Sequence, residues 1–144
     1  MTYPVSLHDR KYLVITSFLF FIPALRALYF QVPLLGTMSF LTGCASLNFW
    51  AFGLNNWRLT LDKTVAYSTT VCYYLTVFSH VIRGIAKGPL LIAYLLITLC
   101  AAQSFSKSWE KWNMGCSTWI IYHMLFHVSI VIGNILVVEV EISL

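Results

Sequence analysis

Charge is what this chain has least of. Of its 144 residues only 10% are Asp, Glu, Lys or Arg, whereas 59% are hydrophobic, and the mean hydropathy is +0.78. A soluble domain of any size needs a charged surface, so this composition excludes one and describes an integral membrane protein. Other absences narrow the chemistry. The glycines form no phosphate-binding loop, there is no G-x-S-x-G elbow, and no cofactor fingerprint follows a strand. Broken-helix signals in matched halves, the mark of many transporters, are missing. The four cysteines, Cys44, Cys72, Cys100 and Cys116, contain no C-x-x-C pair and no N-x-S/T sequon occurs; the thiols are expected to be small buried groups. No linker, repeat or low-complexity segment divides the chain, so residues 1–144 are expected to form a single transmembrane domain.

What is present is long apolar runs. A spanning helix needs about 20 such residues, and five runs fit: about Tyr12 to Phe30, Val32 to Leu54, Leu61 to Ile82, Pro89 to Phe105, and Thr118 to Val138. The expected fold is all-α, a polytopic transmembrane helix bundle. The polar opening, Met1 to Lys11, is followed by no A-x-A-like site, so the first run is expected to be retained and the mature chain to begin near Met1. Pro23 should kink the first span, and Arg26 can snorkel along its aliphatic stem. The connections are short, the longest being Ser106 to Ser117, which makes neighbouring helices antiparallel.

Orientation follows from the basic residues. Arg10, Lys11, Arg58, Lys63, Lys107 and Lys111 fall on the side of the N-terminus. Arg83 and Lys87 fall on the other, which also carries Glu139 and Glu141. The positive-inside rule then puts the N-terminus in the cytoplasm, with Trp57, Trp109, Trp112 and Trp119 as interfacial anchors on that face. The net charge of +4 is accounted for by this asymmetry, leaving nucleic-acid binding without support. Membrane lipids are the expected partners.

Two residues in the last run carry the most chemical information. His123 and His127 are spaced i and i+4 and share a helix face about one turn, roughly 6 Å, apart. Ionisable groups at membrane depth are costly, so a pair there marks a candidate site; the plainer reading is polar glue between helices. Topology adds partners, because the second span ends and the third begins on the side where the fifth starts. Ser46, Asn48, Asp62, His123 and His127 are thereby expected at one depth, and Asn134 continues the stripe into the bundle. Two imidazoles with a carboxylate and a hydroxyl suit a zinc ion that keeps an open position for water. A proton relay through His123, His127 and Asp62 is the other chemistry open to the same residues.

The combination of Ser46-Leu-Asn-Phe-Trp50, Leu61-Asp62 and His123-Met-Leu-Phe-His127 resembles the CREST superfamily of membrane hydrolases. That group includes alkaline ceramidases, progestin and adiponectin receptors, and Per1- and myomaker-related proteins. The resemblance implies a bundle with a zinc ion held by histidines. His123 and His127 would be ligands, Asp62 would hold the zinc-bound water, and Ser46 would be the polar partner beside it. It further implies hydrolysis of ceramide-type lipid amides, and the twelve-residue step from Trp50 to Asp62 looks closer to the ceramidase arrangement than to the receptor one.

The chain departs from the family pattern twice. Trp50 stands where the family has a third histidine. His80 is a poor substitute, because it lies about 27 Å along the helix from Asp62 and belongs near the opposite surface; His8 precedes the first span. In addition, five spans are fewer than the family's seven, a loss that keeps the direction of the last helix but thins the enclosure around a lipid chain. A second copy or a larger membrane complex could complete the walls, with the small-residue stretch Gly36 to Ser46 as a contact face. The rival to a zinc-dependent hydrolase is therefore a noncatalytic bundle serving as scaffold, lipid-binding module or complex subunit.

Overall fold

A computed structural model describes residues 7–52, 56–84 and 88–143. They form six helices: α1 (Leu7–Phe18), α2 (Phe21–Tyr29), α3 (Pro33–Phe52), α4 (Asn56–Ile82), α5 (Gly88–Asn113) and α6 (Trp119–Ile142). No strand occurs among the described residues. Lys87 and the last two residues expected in the second span, at 53 and 54, lie outside the described residues, as does the start of the chain.

The first expected span is two helices. Pro23 has no N–H to offer Leu19, and its ring would crowd that carbonyl. The helix breaks at 19–20, where the Leu19 carbonyl accepts instead from the N–H of Ile22 at 3.1 Å. Upstream, the hydroxyls of Thr16 and Ser17 both donate to the Leu13 carbonyl, at 3.2 and 2.7 Å, a back-bonding habit that bends helices. The turn into α3 places Gln31 at a φ of 61° and closes with the N–H of Val32 on the Ala27 carbonyl at 2.8 Å. Pro33 then opens α3, the position where its missing N–H costs nothing.

Three stretches are long and apolar enough to cross a membrane: His8–Tyr29, which runs through the α1–α2 break, Pro89–Asn113 and Trp119–Ile142. α3 and α4 are of similar length, 20 and 27 residues, but α3 is diluted by Gly, Ser, Thr and Asn, and α4 opens on Asn56, Arg58, Asp62 and Lys63.

α6 lies at the centre. It packs along α5 and also receives α1, α2 and, more sparsely, α4, while α3 bridges α1, α2 and α4. Surrounding lipid is as apolar as leucine, so such a bundle is held by close packing and interhelical hydrogen bonds. Small residues supply the first: Gly36 lies under Leu28, and Gly43 under the ring of Phe21. The small-residue stretch of α3 is thus used inside the chain, against α2. Buried hydroxyls supply the second. Ser39 and Tyr73 meet at 2.7 Å, and Thr42 and Thr69 at 2.8 Å, fastening α3 to α4.

The interior has two apolar clusters. One gathers Ala27, Leu35, Tyr73, Val77, Tyr94, Val137 and Val138; the other Leu13, Phe49, Trp50, Trp119 and Ile120. The first lies toward the end where Arg26 pairs with Glu139 through two nitrogens, at 2.5 and 3.0 Å, and His80 Nε2 stands 3.0 Å from Glu141. The Arg26–Glu139 and His80–Glu141 pairs therefore lie at the end of the bundle away from His123. The cysteines differ from expectation. Cys44 and Cys100 are exposed and Cys72 and Cys116 only partly covered, because the first three occupy helix faces that point away from the packed seams and Cys116 lies in the connection between α5 and α6.

Candidate functional site

The site is built where α6 passes between α1, α3 and α5, within the second apolar cluster. His123 and His127 lie one turn apart on α6, and their ring centroids are 4.9 Å from each other. Helix periodicity makes them neighbours; the surrounding helices decide what else they touch. His127 is buried, 3% exposed, and its Nδ1 lies 3.0 Å from the hydroxyl of Thr16 on α1. His123 Nδ1 lies 3.2 Å from the hydroxyl of Ser108 on α5. Each imidazole thus has one nitrogen engaged by a hydroxyl from a different helix.

Aromatic rings enclose the pair. Phe20 meets His127 edge to face at 5.3 Å, and Phe105 lies 6.5 Å from His123. Trp50 and Trp119 approach His123 at 5.1 and 6.1 Å. The Trp112 ring, 4.3 Å from that of Trp119, continues the wall. Trp50 is itself buried, and its indole N–H has no acceptor among the described residues.

The remaining expected residues fall at different distances from the pair. Ser46 is buried on α3, and its hydroxyl meets that of Ser17 at 2.8 Å. Since Thr16 and Ser17 share the Leu13 carbonyl, Ser46 and His127 are joined through one turn of α1 rather than directly. Asp62 is half-buried near the start of α4. Its neighbour Lys63 lies over the Trp109 ring at 5.2 Å, so the start of α4 stands beside the part of α5 that carries Ser108. No hydrogen bond joins Asp62 to either histidine among the described residues. Asn134 is buried further along α6, with its side-chain nitrogen unpartnered among the described residues. It borders a cleft shared with Thr70, Thr98 and Ser129. His8 stays at the start of α1 beside Asp9, 3.7 Å away.

Thr16, Ser17 and Ser108 were not singled out by sequence reasoning. A hydroxyl in an apolar run that back-bonds to its own helix looks like any other serine or threonine, and only helix packing brings these three to the polar groups of α3 and α6.

The donor set can be tested against a zinc ion. A catalytic zinc has three protein ligands, and zinc-bound histidines characteristically hold the remote ring nitrogen in a hydrogen bond. In both imidazoles Nδ1 lies within hydrogen-bond reach of a hydroxyl. The rings could supply two ligands, Trp50 beside His123 offers none, and no group of three His, Cys, Asp or Glu side chains able to hold a metal comes together among the described residues. His123 and His127 alone fall one ligand short of a catalytic zinc site among the described residues. Compared with protein-family models, curated proteins and solved structures, the chain matches none.

Proposed function

We propose that the chain is a CREST-like integral membrane protein of five spans, with its N-terminus cytoplasmic, whose histidine pair forms a metal-dependent hydrolytic site for lipid amides. The observation that carries this reading is the pairing of His123 and His127 at 4.9 Å with both Nδ1 atoms engaged by hydroxyls. With each Nδ1 donating to its hydroxyl, each Nε2 would be left with a lone pair for a ligand. A zinc ion, when bound, supplies a water acidic enough to act as a nucleophile near neutral pH.

The chain's own residues do the rest. His123 and His127 would hold the metal, with Thr16 and Ser108 as the hydroxyl partners of their rings. Asp62, at the start of α4, is assigned the orientation of the attacking water, and Ser46 the hydrogen bonding of the lipid's polar group. The aromatic wall of Phe20, Phe105, Trp50 and Trp119 excludes bulk water, which strengthens each electrostatic contact within it.

A second reading is favoured by one observation. Trp50 fills the family's third histidine position with an apolar ring packed against His123. On this reading the chain is a noncatalytic bundle, a lipid-binding module or a subunit of a larger membrane complex, and the histidines are interhelical hydrogen-bonding groups.

Elemental analysis of detergent-purified protein separates the two, with wild type set against His123→Ala/His127→Ala. About one zinc per chain, lost in the double variant and accompanied by release of fatty acid from a lipid amide, supports the hydrolase. A wild-type chain that purifies metal-free under non-chelating conditions overturns it in favour of the noncatalytic bundle.

A further inference from the structure

We infer that Thr16 is a positioning residue: it holds His127 in the tautomer protonated at Nδ1, so that Nε2 presents its lone pair to whatever the histidine pair binds. The inference follows from counting protons. A threonine hydroxyl has one hydrogen to give. The Thr16 oxygen lies 3.2 Å from the Leu13 carbonyl, which can only accept, and 3.0 Å from His127 Nδ1. We take the hydroxyl proton to lie on Leu13, so that what faces Nδ1 is a lone pair; were Thr16 to donate to Nδ1 instead, leaving Leu13 to Ser17, the ring would be the Nε2–H tautomer. With the proton on Leu13, an unprotonated Nδ1 would set lone pair against lone pair, so Nδ1 carries the hydrogen and donates it. The other nitrogen of a neutral imidazole is then bare, and which one is bare is set by the bond the first one makes.

The same turn of α1 treats Ser46 in the same way. The Ser17 hydroxyl donates to the Leu13 carbonyl at 2.7 Å, so at its 2.8 Å contact with Ser46 it accepts. One carbonyl therefore takes two hydroxyl protons and turns Thr16 and Ser17 into acceptors aimed at α6 and α3. Burial protects the arrangement, since Thr16 and His127 are 4% and 3% exposed. Phe20 and His123 pack against the His127 ring and oppose its reorientation. The contact of Ser108 with His123 carries no such count, because no second acceptor commits the Ser108 proton among the described residues. The tautomer is thus imposed at His127, and the first helix becomes part of the site.

The chemical use of the bare Nε2 rests on the histidine-pair reading above, but the tautomer can be read without any metal. The full chain, labelled with ¹⁵N in its histidine rings and purified metal-free in detergent, would be measured by NMR, with the His127 signals identified by their loss in His127→Gln. The expected wild-type spectrum has a protonated Nδ1 and a bare Nε2. Thr16→Val keeps the shape of the side chain but removes the acceptor, and should replace the single tautomer by a mixture or by the Nε2–H form. Thr16→Ser should restore the wild-type pattern, and Thr42→Val, remote from the site, should leave it unchanged.

A bare Nδ1 in wild type overturns the assignment, as does an unaltered spectrum in Thr16→Val; if that variant does not fold, the wild-type spectrum decides. A separate zinc titration addresses the metal reading, under which Thr16→Val should bind zinc about 10- to 100-fold more weakly. A wild-type chain with Nδ1 protonated and no affinity for zinc would sink the metal reading and leave the role of Thr16 standing.

Discussion

The indole of Trp50 stands edge-on to the imidazole of His123, with ring centroids 5.1 Å apart and planes inclined at 74°. The side chain four residues after Ser46 therefore reaches the histidine pair, although it is not one that ligates a metal. Its indole packs against His123 and offers no ligand atom to the pair. Trp50→His is expected to convert a two-ligand site into a three-ligand one and to tighten zinc binding by about tenfold or more, by adding a nitrogen to a set that catalytic sites complete with three. Competition with a chromophoric chelator would measure it. Unchanged affinity, in a variant that elutes as wild type does, would show that position 50 points away from the ligand atoms. Replacing a large buried ring leaves a void, so some loss of thermal stability should accompany the gain.

At Gly36 the backbone of α3 lies close against α2. A Cβ there would lie 2.6 Å from Leu28 Cγ and 3.0 Å from the Leu28 backbone nitrogen, and the backbone cannot swing aside as a side-chain tip can. Overpacking of this kind costs about 1–3 kcal/mol, which exceeds the roughly 1 kcal/mol that alanine gains over glycine in helix propensity. Gly36→Ala should therefore lower the unfolding midpoint in detergent, and Leu28→Ala in the same chain should recover part of the loss. An unchanged or higher midpoint for the single variant would argue against this close approach.

Tyr73 is fully buried, and its hydroxyl meets that of Ser39 at 2.7 Å. Tyr73→Phe removes one partner and strands the other in an apolar seam. The expected loss is about 1 kcal/mol. Adding Ser39→Ala removes the stranded hydroxyl, so the double variant should be no less stable than Tyr73→Phe alone. Losses that simply add would mean that the two hydroxyls do not interact.

Arg26 and Glu139 close the opposite end of the bundle through a two-nitrogen contact between α2 and α6. Both side chains are largely exposed, 46% and 42%, so the pair is open to screening. Arg26→Gln and Glu139→Gln should each lower the unfolding midpoint modestly at low salt, and the double variant should fall no further than either single one. The difference from wild type should shrink in high salt. A deficit that persists unchanged there would point to lost packing of the long side chains instead of lost charge pairing.

The helical class could be read directly from the sequence, because apolar runs with so little charge leave few alternatives. The ends of the runs near Phe30, Ile82 and Pro89 agree with the helix boundaries within a few residues. Hydropathy did not foresee that α5 continues through Asn113 or α6 through Ile142. Polar residues such as Lys107, Trp109 and Glu139 lower the hydropathy without breaking a helix. A kink of the first run at Pro23 was expected from its missing N–H; a full break into two helices at 19–20 was not. The exposure of Cys44 and Cys100 was not, because apolarity alone cannot tell a face turned to lipid from one turned to another helix. For the same reason, only packing assigned the small residues of α3 to contact with α2.

The sequence by itself determined that His123 and His127 share a face, that Asn134 continues it inward, and that Trp50 takes the place of a histidine in the pattern the chain resembles. These are relations of period and spacing within one helix or one motif, and local geometry suffices to settle them. Only the tertiary structure decided that His127 is met by Thr16 and His123 by Ser108, that Ser46 reaches the pair through Ser17, and that no hydrogen bond joins Asp62 to either histidine among the described residues. Those contacts join helices up to 111 residues apart in the chain. They depend on how helices rotate and cross, which is set by the small residues, hydroxyl pairs and aromatic rings of every seam together.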